Sequence, residues 1–337
     1  MKKNRKNPLI PFVFIVIIVA AMILISAGEQ IGLENDAHSL GTVSYYTDIS
    51  RCLSNIDDNI NQKIFDLPKV YTLPMDQSPG PEPDPDGFTK ASYTDSTISV
   101  KCWHERINIS GKTVTAHFAD VVIAHPTQLR TAFAGGQFGN KRMLASKIAA
   151  NHNAVVAING DFYNYNGEGI IIRNGTVYRE KPYGTNVLFI DSDGNFSLML
   201  DNKAFDEGYY KKNKIMQTLS FGPAIVENGK KLTNWKGSFS CGPNGDEPRT
   251  AIGQIGHLHY ILCTVDGRTG RSPGVTVAEL SKIMIDKECM VAYNLDGGQS
   301  SVLYFHDKPI NLVADGGERT LGDIIYFATA IPESDRN

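Results

Sequence analysis

"TVAELSKIMIDKECMVAYNLDGGQSS", residues 276–301, holds two elements and the junction that follows them. Thr276 and Glu279 stand at the T-x-x-E spacing of a capping box, so a helix is predicted to open there with Val277, Leu280 and Met284 on its inner face. The apolar run "MVAYNL" then reads as a buried strand. Its C-terminal end carries Asn294, Asp296, Gly297, Gly298, Gln299, Ser300 and Ser301 in close succession. Asp-Gly and Gly-Gly are ordinary turn signals. Consecutive glycines also let a ligand approach the main chain, whose N–H groups can hold anionic oxygens.

The same plan occurs earlier. Residues 140–152, "NKRMLASKIAANH", place Leu144 and Ile148 on one helical face, and the strand "AVVAI" (154–158) then runs into Asn159-Gly160-Asp161-Phe162. Side chains two apart on a strand share a face, so each unit aims one amide and one carboxylate the same way. If the two strands share one sheet, Asn159, Asp161, Asn294 and Asp296 converge at its rim, where α/β folds commonly place ligands. A third segment, "EPRTAIGQIGHLHYILCTVDGR" (247–268), reads as a hairpin with strands 250–255 and 258–265. That geometry brings Arg249, Thr250 and Asp266 to one end, with Arg268 close behind. Residues 191–195, "DSDGN", lack the distal Glu of a calcium loop and read as a hairpin turn.

Residues 88–332 alternate short β-branched runs with Gly, Asn and Asp, with a few helical stretches between. This predicts an α+β domain: a mixed β-sheet with packed helices. Five prolines between residues 74 and 88 suggest a linker, which makes residues 30–87 a stalk. Ahead of it, Lys2, Lys3, Arg5 and Lys6 precede 22 uncharged residues. Residues 1–29 therefore read as a cytoplasmic basic tip and an uncleaved signal anchor, with one N-terminal transmembrane helix over residues 8–28. The expected location is the cell membrane, single-pass, with the domain extracytoplasmic. A cleaved signal peptide is the alternative, but its apolar core is usually about 7–15 residues. Without residues 1–30 the chain has 29 basic against 35 acidic residues, which argues against nucleic acid as a partner.

Five cysteines lack C-x-x-C spacing. Cys263 and Cys289 belong to apolar runs and read as core, while a Cys52–Cys102 bridge is left open. His104, His257 and His259 show no ligand spacing. The sequence has no nucleophile elbow, Walker loop, dinucleotide fingerprint or H-E-x-x-H.

Five motifs in order carry a family resemblance: "AINGDFY" (157–163), "FGPAIVENGK" (221–230), "EPRTAIG" (247–253), "VDGRTGRSPGVTVAEL" (265–280) and "AYNLDGGQSS" (292–301). Over residues 88–331 the chain resembles the phosphodiester glycosidase family, whose bacterial members are often labelled exopolysaccharide-biosynthesis proteins. One position departs from the pattern, since the family usually has a third glycine where Gln299 stands. The resemblance implies hydrolysis between a sugar's anomeric carbon and a phosphate that bears a second substituent. The implied substrate is a phosphorylated glycan of the cell envelope or an exopolysaccharide.

That chemistry assigns roles to the residues already singled out. Asp296 is the expected nucleophile or base and Asp161 the second carboxylate. Arg249 is the expected phosphate clamp, helped by the Gly297 and Gly298 amides. Asn159, Asn294, Gln299, Ser300, Ser301, Thr250, Asp266 and Arg268 complete the expected substrate-binding set. No cofactor is required. Two rival readings remain: a non-catalytic phosphoglycan-binding module, and a metal-dependent phosphodiesterase that holds a divalent cation such as calcium on Asp161, Asp266 and Asp296.

Overall fold

The structure, a computed structural model, describes residues 69–165, 167–181, 184–200, 207–237 and 242–336. The expected transmembrane segment and most of the stalk lie outside them. Among the described residues no helix is long and apolar enough to cross a membrane.

The compact unit spans Val70–Asn337. Its larger sheet has eight strands. Six of them matter here: β1 (Ile98–Ile109), β2 (Lys112–Ile123), β7 (Ala224–Glu227), β8 (Arg249–Gly256), β9 (His259–Val265) and β10 (Val291–Leu295). They lie in the order β1, β2, β9, β8, β10, β7. The smaller sheet has five strands, including β3 (Leu129–Phe133), β4 (Val156–Asn159), β11 (Leu303–Phe305) and β12 (Asp323–Phe327), in the order β11, β4, β12, β3. Two further strands, β5 (Gly169–Arg173) and β6 (Thr176–Lys181), pair with each other in a separate ladder. The class is α+β and sheet-dominated, and the ladders of all these strands are antiparallel.

Strand periodicity explains the layering. Along β10, Tyr293 and Leu295 join a core shared with Val156, Ile158, Ile325 and Phe327 of the smaller sheet, so the two sheets pack face to face. Ala292 points the other way. It joins Ala251, Cys263, Leu280 and Met284 under helix α2 (Val277–Asp286). On the outer side of the smaller sheet, Ala157, Ile324 and Tyr326 pack on Ile148 and Ala149 of helix α1 (Ala145–Asn151). The sandwich is therefore covered by one helix on each outer face.

The α2 capping box forms as the spacing predicts: Thr276 Oγ1 accepts from Glu279 N (3.2 Å), and Glu279 Oε2 accepts from Thr276 N (2.9 Å). Helix α1 is shorter than residues 140–152 suggest, because Met143 and Leu144 pair as a strand with Leu321 and Thr320. The hairpin of β8 and β9 and the 191–195 turn are both as expected. Cys263 and Cys289 are core residues, and Cys102 is a free buried thiol.

The proline-rich run starts inside the domain. Fully buried Arg130 donates to Pro74 O (2.6 Å), Asp76 O (3.2 Å) and Ser78 O (3.3 Å), while Gly80 N donates to His152 O (3.3 Å). These carbonyls satisfy the buried guanidinium without a buried carboxylate, and they fasten the segment down. The near edge of the compact unit is accordingly Val70 rather than Phe88.

Candidate active site

The two Asn-x-Asp units do not share a sheet. β10 belongs to the larger sheet and β4 to the smaller one, and it is their C-terminal ends that meet. Asn159 joins them. Its Nδ2 donates to Asp296 O (2.8 Å), and its Oδ1 accepts from Thr250 Oγ1 (2.8 Å) and Val302 N (3.2 Å). Asn159 and Thr250 have no exposed surface and hold the two sheet ends together, and Asn159 also lines the small pocket beside Asp296.

Asp296 is the first residue beyond β10 and is buried. Its Oδ2 accepts no hydrogen bond, and an Arg319 Nη2 stands 3.9 Å from it. Burial pushes its carboxyl up to about 6, against the opposing pull of the Ser300 hydroxyl, Arg319 and the Gly297 amide. The Ser301 hydroxyl is also buried without a partner. Buried polar atoms are nearly always satisfied, so an orphaned carboxylate oxygen and hydroxyl at one strand end mark a place prepared for a ligand or water. The same carboxylate lines a narrow cleft of about 10 Å³, room for one water molecule, with Asn159, Gly160, Phe162, Tyr165 and Gly322.

Asp161 is close by but committed. Its Oδ1 lies 3.0 Å from Arg173 Nη2, and its Oδ2 accepts from Ser220 N (2.9 Å). Arg173 is fully buried and also donates through Nε (3.1 Å) and Nη2 (2.8 Å) to Asp323 Oδ2. Two carboxylates thus share one guanidinium in the interior, and burial raises Asp323 despite that partner. The triad fixes the 159–161 turn from below: Gly160 N donates to Asp323 O (3.0 Å), and a Cβ at Gly160 would stand 2.1 Å from Asp323 Oδ1.

Other expected site residues are placed differently. Arg249 is buried with Nε on Val275 O (2.7 Å) and Nη2 on Gly245 O (2.9 Å), so it secures the 242–247 and 275 main chain. The Gly298 amide, expected on phosphate, donates to Pro248 O (2.8 Å), and Gly298 needs its left-handed φ of 63° for that turn. Asp266 accepts from Leu312 N (3.0 Å) and lies 3.0 Å from His117 Nε2. Arg268 is exposed, bridges Glu247 (2.8 Å) and Asp315 (2.6 Å), and passes over Gly298. Asn294 donates to Gly222 O (2.8 Å), and Gln299 donates to Gly317 O (3.0 Å). Gln299 therefore ties the D-G-G-Q-S-S turn to the 314–317 turn. Among the described residues no group of three His, Cys, Asp or Glu side chains is placed to hold a metal ion.

The sequence reading missed Arg319 and the aromatic wall. Phe162 and Tyr165 stack at 3.9 Å with ring planes 4° apart, and Arg319 lies over both at 5.5 and 5.0 Å. Phe162 takes a left-handed φ of 66°, a strained setting for a bulky residue that turns its ring into the cleft wall. A second D-G-G run, "DGGERT" at residues 315–320, was the available pointer to Arg319. Arg173 and Asp323 also had a signal, as charges at the ends of the apolar strands "GIIIR" and "DIIYF".

A family model described as phosphodiester glycosidase matches residues 152–328. The SPbeta prophage-derived uncharacterized protein YomE of Bacillus subtilis is 25% identical over 258 residues, which is 73% of this chain and 39% of that protein. N-acetylglucosamine-1-phosphodiester α-N-acetylglucosaminidase from Bos taurus is 28% identical over 218 residues, and that from Homo sapiens 28% over 216; each match spans 41% of the relative. This chain thus spans about two fifths of the length of the curated relatives it matches. Among solved structures, the pro-peptide-inhibited catalytic domain of the zebrafish N-acetylglucosamine-1-phosphodiester α-N-acetylglucosaminidase shares the fold. It superposes with a TM-score of 0.58 at 19% identity, covering 74% of this chain and 87% of that one.

Proposed function

This chain belongs to the phosphodiester glycosidase family, and from that premise we propose that it hydrolyses the glycosidic bond of a sugar-1-phosphodiester. The observation that carries the proposal is Asp296: a buried carboxylate with an orphaned oxygen, at a cleft that also has an aromatic wall and a cation. A phosphodiester leaves as a weakly basic anion, so its departure calls for charge stabilisation more than for a strong proton donor. Arg319 is the guanidinium in position for that task, and it takes the role that the sequence had suggested for Arg249.

In the reaction the sugar carbon becomes oxocarbenium-like as its bond to the phosphate oxygen lengthens. Asp296, ionised, meets that carbon directly or through a water it deprotonates. Phe162, stacked on Tyr165 through one face, offers its other ring face as the flat apolar surface for the sugar ring. Asp161, held by Arg173 and Ser220 N, acts by fixing the turn that carries Phe162. The basic tip and apolar run of residues 1–29 support an anchored enzyme that works outside the membrane on an envelope glycan or exopolysaccharide. The test is release of free sugar from a synthetic sugar-1-phosphodiester: wild-type protein releases it and Asp296→Asn does not. Equal release by both would remove Asp296 from the mechanism.

A further inference from the structure

Tyr165 carries a second cation that the reaction as described does not use. The Arg142 guanidinium carbon lies 3.6 Å from the Tyr165 ring centroid, close enough for full face-on stacking. Arg319 is 5.0 Å from the same centroid, so the two guanidinium carbons are at most 8.6 Å apart, the two centroid distances added. Arg142 is exposed, and among the described residues no carboxylate lies within ion-pair distance of it. The neighbouring acids face elsewhere: Glu318 Oε2 accepts from Ser146 N (2.9 Å) and Asp315 pairs with Arg268. The loop below is tied down, with Asn164 Nδ2 on Lys141 O (3.3 Å) and Tyr165 Oη on Thr320 O (3.3 Å). The Tyr165 ring thus has two guanidinium groups against it, within about one sugar residue of each other.

A single phosphodiester carries one negative charge and needs one of these cations. We propose that Arg142 forms a second anion subsite, so that the preferred substrate is a glycan with a further phosphodiester next to the scissile one, a sugar-phosphate repeat in place of an isolated capped sugar phosphate. This rests on the proposed function and specifies its substrate class. Stacking on Tyr165 pre-orients the Arg142 plane and leaves its N–H edge for a phosphate, which it can hold through two parallel hydrogen bonds.

The experiment compares two synthetic sugar-1-phosphodiesters with the full chain at low ionic strength. One has a neutral alkyl group beyond the phosphate, and the other has a glycosyl group bearing a second phosphodiester. Wild type should show about fivefold lower KM for the doubly charged substrate, as one partly exposed charge contact provides, with kcat alike. The preference should shrink toward none in Arg142→Gln, persist in part in Arg142→Lys, and fade as salt is raised. Equal KM values in wild type, or an undiminished preference in Arg142→Gln, would overturn the second subsite and leave the proposed hydrolysis standing. Hydrolysis of neither substrate would overturn that function and this inference with it.

Discussion

Replacement of Asp296 by Asn should make the protein more stable at neutral pH while it stops the reaction. The folded-state carboxyl is raised from 3.8 to about 6, with burial the largest cause. At 1.36 kcal/mol for each tenfold change in proton affinity, this corresponds to about 3 kcal/mol held against the ionised native state. The sign follows from the direction. Below the unfolded value of 3.8 both states are protonated and there is no penalty; it grows as pH rises and is complete above about 6. Asn is neutral and nearly isosteric, so the variant should escape that cost. Urea unfolding at pH 7.5 should therefore show Asp296→Asn more stable by up to about 3 kcal/mol, a rise of about 6–12 °C in Tm. At pH 4 the two proteins should differ little. A variant that is less stable at pH 7.5, or a difference that does not change with pH, would refute the idea that Asp296 is held in a setting unfavourable to its charge. Such a trade of stability for chemistry is what a working carboxylate in a closed site entails.

The two arginines at issue should part company. Arg319→Leu should cost about 100-fold in kcat with Tm nearly unchanged, whereas Arg249→Leu should lower stability by about 2–4 kcal/mol through its lost carbonyl contacts; thermal unfolding beside steady-state kinetics separates them. Arg173→Met should destabilise by about 3–5 kcal/mol, because it leaves Asp161 and Asp323 buried without their shared cation, and denaturant titration reads this directly. The pH profile of kcat/KM should rise through about 6 as Asp296 ionises; a profile that falls there would make Asp296 the acid.

Local patterns were legible where the physics is local. The capping box, the β8–β9 hairpin and the arrival of Asp296 at a strand end follow from spacing alone, since they depend on residues a few positions apart. The allocation of strands to sheets does not. β4 and β10 carry the same Asn-x-Asp plan, yet one pairs with β11 and β12 and the other with β7 and β8. That choice is made by the shared core between the sheets. Roles within the site were misread for a related reason. Arg249 has the residue type of a phosphate clamp, but a buried guanidinium goes to whatever carbonyls surround it, and those come from a loop the sequence does not place. Asp161 and Asp323 meet over Arg173 across 162 residues of chain, a partnership that tertiary packing alone reveals.

The measurement closest to the central claim is hydrolysis of a synthetic sugar-1-phosphodiester in oxygen-18 water, followed by mass analysis of both products. Attack at the anomeric carbon places the label in the released sugar and leaves the phosphate monoester unlabelled. Label in the phosphate would mean that the P–O bond is cut and would contradict the account of Asp296 facing the sugar carbon.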